Sequence, residues 1–387
     1  MRRRFAPACI VLVLALAAGL APALAAEKEE KDWGYDKGLY FRTSDFEIKL
    51  GGRVQFRFTG TDPDGGDSIG EFRIPRARFF GSGFAYKPWI KYKFQFDLVG
   101  NDVVNRVTVD DADLSGDLQE DEVTSSRSRG ADLRDFYIDF AKHAGTTLRV
   151  GQYKAPFGLQ ELTSSGSLQF VDRSIASEEF APSRDQGVML HGLFNDKTFG
   201  YEAGVFNGNG RNKSSNDNNE FMYAVRAHFD PNGEYKLQES AVDSPGKVLW
   251  TIGGGWLSNA TDPAGDLNAT TLEGFFGLAY RRLSVLADYY TRTEDLAGGG
   301  EVDSDGYIAQ VGYFFVPGSF EVALRSSQVD PDTDADDDGL SETGIALNWF
   351  LKKHNFKVQA DYRQLTEESP LGDLDTDQAR VQLQVIF

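Results

Sequence analysis

Cysteine is almost absent from this chain: one residue in 387, Cys9, close to the amino terminus. No disulfide framework can be built from it. Histidine is nearly as scarce. His143, His191, His228 and His354 are scattered, without the spacing of a zinc site. No G-x-S-x-G surrounds a serine. Nothing in the residues points to catalysis, a bound metal or a cofactor. Past residue 26 there is no apolar run long enough for a membrane helix. Positive charge is in the minority, with 40 Lys and Arg against 59 Asp and Glu and a net charge of −19. That balance argues against nucleic acid as a partner.

What is present begins with a leader. Arg2, Arg3 and Arg4 precede an apolar run from Ile10 to Leu20, and Ala23-Leu24-Ala25 supplies a small-residue cleavage pattern. Residues 1–26 read as a secretory signal peptide, cut near Ala25 or Ala26. Residues 27–45 form a charged, loop-like N-terminal extension with no assigned element. An exported chain without an apolar helix is either a soluble protein or an outer-membrane barrel, whose single strands give weak signals. The 41 glycines and 29 phenylalanines favour a β-rich chain.

From Phe46 the pattern sharpens. Phe46, Ile48, Leu50, Val54, Phe56 and Phe58 share one parity, and Glu47, Lys49, Arg53, Gln55, Arg57 and Thr59 share the other. Alternation of this length predicts a strand with one apolar and one polar face. Similar segments recur to the end of the chain and number about sixteen. Connections alternate between tight turns, such as Lys87-Pro88 and Asn195-Asp196, and long polar loops rich in Asp and Gly. The connection at 231–246 departs from the rule, being long where a tight turn is due. The last strand sets Ala379, Val381, Leu383, Val385 and Phe387 against Arg380, Gln382 and Gln384. We therefore expect an all-β fold over residues 46–387, a transmembrane antiparallel β-barrel. Its apolar parity faces lipid and its polar parity wets the lumen.

The stretch from Gln152 to Gly187 has no strand alternation, yet it carries Phe157, Leu159, Leu162, Leu168, Phe170, Val171, Ile175 and Phe180. Such side chains need a wall to pack on. We expect residues 154–185 to fold into the bore and narrow it, the alternative being a flap over the barrel mouth.

On the polar parity, basic residues outnumber acidic ones. The excess is densest on the first three barrel strands, with Arg53, Arg57, Arg76, Arg78, Lys91 and Lys93. Asp97, Asp135, Asp139, Asp288, Glu321 and Asp361 share the lumen parity. A low-dielectric wall focuses the field of such a patch into the bore. Guanidinium forks suit phosphate oxygens, and a narrow pore lined this way favours small anionic solutes. The competing expectation is that these cations pair with lumen carboxylates and only stiffen the wall. The run Asp334, Asp336, Asp338, Gly339 begins like a calcium loop but has Ile345 where the closing Glu belongs, so it reads as a solvated acidic loop. Outer-membrane lipid and lipopolysaccharide are the expected surroundings of the wall.

Three segments, LRVGQYKAPFGLQELTSS (148–165), FVDRS (170–174) and APSRDQGVMLHG (181–192), resemble the phosphate-selective porins of the O and P type. LGGRVQFRF (50–58) and YKPWIKYKFQFDL (86–98) are similar as well. The resemblance implies a sixteen-stranded outer-membrane barrel, commonly a homotrimer, with the third loop folded inward and anions passing Arg and Lys side chains. The matching positions are Arg149 and Lys154 beside the loop and Arg173 and Arg184 within it. Arg53, Arg57, Lys91 and Lys93 match in character. The other readings are a general or cation-preferring channel, a closed structural or adhesive barrel, and a soluble exported β-protein.

Overall fold

A computed structural model describes residues 32–35, 38–99, 131–262, 264–370 and 372–387. The expected signal peptide at 1–26 lies outside them, as does nearly all of the acidic connection at 100–131. Sixteen strands close on themselves. They are β3 (Phe46–Pro63), β4 (Ile69–Ala85), β5 (Lys87–Asp97), β6 (Asp132–His143), β7 (Thr146–Lys154), β8 (Arg184–Phe194), β9 (Phe199–Phe206) and β10 (Met222–Phe229), followed by β11 (Leu249–Ala260), β12 (Asn268–Tyr280), β13 (Leu283–Asp295), β14 (Glu301–Val316), β15 (Phe320–Asp330), β16 (Leu340–Lys352), β17 (Phe356–Glu367) and β18 (Leu374–Ile386). Each pairs antiparallel with the next, and β18 pairs with β3 to shut the barrel.

The two faces are inverted relative to a soluble protein. On β3, Phe56 is 47% exposed while Arg57 beside it is 1% exposed; on β18, Leu383 is 41% exposed and Gln382 1%. Apolar side chains point out and polar ones pack inside, which is stable only where lipid surrounds the wall. Phe56 stacks on Phe72, and Phe79 meets Phe94 at a tilt, across the outward face of neighbouring strands.

The closing seam is staggered. β18 covers β3 only from Arg53 to Pro63. Residues 27–45 carry no element in the sequence reading, but the structure places a hairpin there, β1 (Asp32–Tyr35) and β2 (Leu39–Arg42). β2 pairs with Glu47–Leu50, the part of β3 that β18 does not reach. An unpaired edge exposes a row of N–H and C=O groups, and the hairpin satisfies it. Between the two, Gly52 and Phe387 exchange backbone hydrogen bonds of 2.7 and 2.9 Å.

Tight turns gather on one rim and long loops on the other. The β8–β9 turn holds Asn195, Asp196 and Lys197 all at positive φ. Two long connections leave the rims and run inward. One is the β7–β8 loop, with two short helices, α1 (Leu159–Leu162) and α2 (Ile175–Phe180). The other is the β10–β11 connection, the long segment on the tight-turn rim. Its Glu239, Ser240, Ala241 and Val242 are all buried. Val242 packs on Phe314 of β14 and Phe350 of β16.

Candidate functional site

The β7–β8 loop is held inside the barrel by an apolar cluster and a set of carboxylates. Phe157, Leu159, Ala176 and Phe180 pack on Phe275, Leu286, Tyr290 and Ile308, inward side chains of β12 to β14. Each large apolar side chain buried this way contributes about 1.5–3 kcal/mol. Gly158 opens α1 at φ 79°, and a Cβ there would stand 2.8 Å from Ala181 Cβ. Only glycine accepts both conditions. Ser174 caps α2, its hydroxyl accepting from Ser177 N at 3.2 Å.

The polar anchors come from the far wall. Glu273 accepts from Gly158 N at 2.9 Å and Leu159 N at 2.8 Å. Asp361 accepts from Val171 N at 2.9 Å, and Glu342 from Ile175 N at 3.0 Å. Asp288 accepts from Gln160 N at 3.2 Å, and Glu239 of the other inward connection accepts from Gln169 N at 2.7 Å. Loop backbone donors that would otherwise be orphaned are thus satisfied by carboxylates of β12, β13, β16 and β17. These acidic residues lie under the loop.

The opposite wall, β3 to β9, stays open. A cavity of about 1180 Å³ lies between it and the loop. Among the described residues, ten cationic side chains line it: Arg57, Arg73, Arg76, Arg78, Lys93, Arg134, Arg149, Lys154, Arg173 and Arg184. Five carboxylates share it: Glu71, Asp135, Glu161, Asp172 and Glu202.

Most of these cations hold a partner. Asp172, on the loop, accepts from Arg57 at 2.5 Å and Arg76 at 2.8 Å. Burial pushes the Asp172 carboxyl up, but the guanidiniums of Arg76 and Arg57 outweigh it and hold the group well below the usual carboxylate range. Arg78 meets Asp97 at 2.8 Å; Lys93 and Arg184 share Asp135 at 3.2 and 2.7 Å. Arg149 grips Asp139 with two hydrogen bonds of 2.7 and 2.9 Å, its guanidinium 3.9 Å from the Tyr137 ring centre. Arg173 meets Glu161 at 2.7 Å, and Lys154 donates to the Thr163 carbonyl at 3.0 Å. Pairing with lumen carboxylates therefore describes the single residues, while the cavity as a whole keeps a cationic excess.

Of the ten residues singled out in the sequence, Arg57, Arg76, Arg78, Lys93, Arg149, Lys154, Arg173 and Arg184 border this cavity. Arg53 does not: it is buried beneath the loop and donates to Ser165 Oγ at 2.9 Å and Ser164 Oγ at 3.4 Å. Lys91 is exposed and sits apart from the cavity, the fifth residue of its strand. Two cationic residues on the cavity wall have no signal in strict alternation. Arg73 lies beyond a bulge in β4, where the register jumps from Gln55–Arg76 to Arg57–Arg73. Arg134 is the extra residue of a bulge in β6, between Leu133 and Asp135. A bulge adds a residue and reverses parity past it. Pro75 in the first bulge was the available clue, because proline in a sheet is confined to such places.

Similar solved structures include the anion-selective porin from Comamonas acidovorans, with a TM-score of 0.57 and 14% identity, covering 89% of this chain and all of that one. The outer membrane channel DcaP of Acinetobacter baumannii gives a TM-score of 0.58 at 13% identity, covering 89% and 98%. OmpT of Vibrio cholerae, in its trimer form, gives 0.55 at 11% identity, covering 89% and 100%. At these identities the likeness is one of fold. An uncharacterized protein of Aquifex aeolicus is 24% identical over 280 residues, 65% of this chain and 66% of that protein. The family model described as phosphate-selective porin O and P matches residues 48–387. With a closed sixteen-strand barrel, an inward loop and a polar lumen already in hand, the chain belongs to the phosphate-selective porin O and P family of outer-membrane channels.

Proposed function

We propose that this channel passes small anions by passive diffusion, favours phosphate-type solutes, and works as a homotrimer set in outer-membrane lipid and lipopolysaccharide. One observation carries the reading. The lumen carboxylates are divided unevenly: those of β12, β13, β16 and β17 bind loop backbone, and among the described residues the cavity on the open side is lined by ten cations against five carboxylates, with Asp97 and Asp139 paired behind Arg78 and Arg149. A solute in the cavity meets a cationic wall, and the low-dielectric surroundings concentrate its field. Arg76, more open than Arg57 or Arg78, turns its guanidinium toward phosphate oxygens, Arg57 and Arg78 add charge from behind their partners Asp172 and Asp97, and Lys93 acts as a point charge. Arg149, Lys154, Arg173 and Arg184 extend the same field along the loop, and Arg53 adds to it from beneath. Lys91 would act nearer the tight-turn rim. The trimer form of a fold relative supports the assembly, and the exposed outward Phe and Leu support the lipid contact.

The test is chloride current through single channels in planar bilayers, with phosphate added. Phosphate should bind among the arginines and reduce the chloride conductance in a saturable way. Chloride current indifferent to phosphate removes the phosphate preference.

A further inference from the structure

Beside the basic cavity, toward the tight-turn rim, lies a second one of about 410 Å³. It reaches Gly192 and Leu193, next to the β8–β9 turn. The two spaces have Glu202 and Leu237 in common. Leu237 belongs to the β10–β11 connection and is 42% exposed, although the residues from Glu239 to Val242 are buried. An apolar side chain left uncovered inside a bore stands where the two spaces meet.

The second space has a lining suited to water. Arg226 Nε, Asp230 Oδ1 and His191 Nε2 are buried without a hydrogen-bond partner, His191 Nε2 lying 3.9 Å from Asp139, and all three residues line it. Buried polar groups of this kind are satisfied by water, and the volume holds roughly a dozen molecules at ~30 Å³ each. The volume and the polar lining leave room for water on the rim side of Leu237.

The leucine is also held on both sides. Tyr235 N donates to Asp230 at 2.8 Å, and Glu239 N to the Ser167 carbonyl of the constriction loop at 3.2 Å. Asp243 receives Lys353 at 2.7 Å and Lys236, the neighbour of Leu237, at 3.1 Å. The Lys353 ammonium, with Lys236, brings the Asp243 carboxyl down to about 2.

We infer that the β10–β11 connection builds a second constriction, with Leu237 as its narrowing side chain, between the basic cavity and an exit chamber at the tight-turn rim. This rests on the basic cavity being the route of permeation. It assigns the channel two filters in series, one of charge and one of size.

The test uses the full chain carrying Leu237→Cys, where Cys9 is the only other cysteine in the sequence. Single channels in planar bilayers are treated with a bulky, uncharged methanethiosulfonate. Modification should cause a stepwise loss of conductance and leave the reversal potential in a salt gradient unchanged, because the adduct has no charge. Leu237→Ser, without reagent, should conduct more than wild type. Stoichiometric labelling with unchanged conductance, a thiol that never reacts, or a Leu237→Ser channel with wild-type conductance each overturns the second constriction. A wild-type reversal potential on the cation side would instead sink the anion reading and leave the constriction standing.

Discussion

Asp172 ties the loop to the basic wall through Arg57 and Arg76, with Arg380 3.9 Å away. A carboxyl depressed in the folded state stabilises fully above its unfolded pKa of about 4 and loses that contribution as pH falls through the folded value. The folded value is far lower, so the tie should persist from pH 7 down to about 4. Asp172→Asn should close more often than wild type, and that difference should hold over the whole range. A difference that disappears near pH 5 contradicts the tie. Charge removal tests the wall itself. A unit charge ~8 Å from a permeant ion across water is worth ~0.5 kcal/mol, about two-fold in partitioning. Arg76→Gln should therefore lower the anion-to-cation permeability ratio by about two-fold or more, read from reversal potentials, and Arg134→Gln should do the same. Lys91→Gln, outside the cavity, should change it least.

Among the elements, the faces of the strands were legible and the bulges were not. Alternation in β3 and β18 announced which side chains meet lipid, because a period of two is imposed by the backbone itself. Leu383→Arg places a cation on that outward face, at a cost of roughly 2–4 kcal/mol near the membrane midplane, and should impair assembly, measured as heat-stable folded barrel on gels. Normal assembly of that variant contradicts the facing. Arg73 and Arg134 escaped because a single inserted residue resets the count. The β1–β2 hairpin escaped because four-residue strands carry too little pattern, and only the staggered seam gives them a partner. The connection at 231–246 was visible as an anomaly of length, but its inward course depends on contacts with Phe314, Phe350 and the constriction loop, which no local pattern encodes. In the sequence the lumen carboxylates Asp288 and Asp361 read as candidate partners of the lumen cations; their use as backbone anchors appears only once the loop is in place. Glu273→Ala tests that use. It leaves Gly158 N and Leu159 N without acceptors, about 1–3 kcal/mol each. The loop should loosen, with higher and noisier conductance and a weaker anion preference.

At the scale of the whole molecule, a net charge of −19 coexists with a cavity whose described lining residues are mostly cationic among their charged members. The two are compatible because charge is sorted by position. Asp334, Asp336 and Asp337 are exposed on the β15–β16 loop, and wall carboxylates are spent on the constriction loop. Total composition therefore says little about the field along the bore, while residue parity and loop placement say a great deal. The most direct test is the reversal potential of the wild-type channel in a potassium chloride gradient across a planar bilayer. The sorted-charge account predicts a potential of the sign and near the size set by chloride. A potential near zero, or on the potassium side, would contradict it.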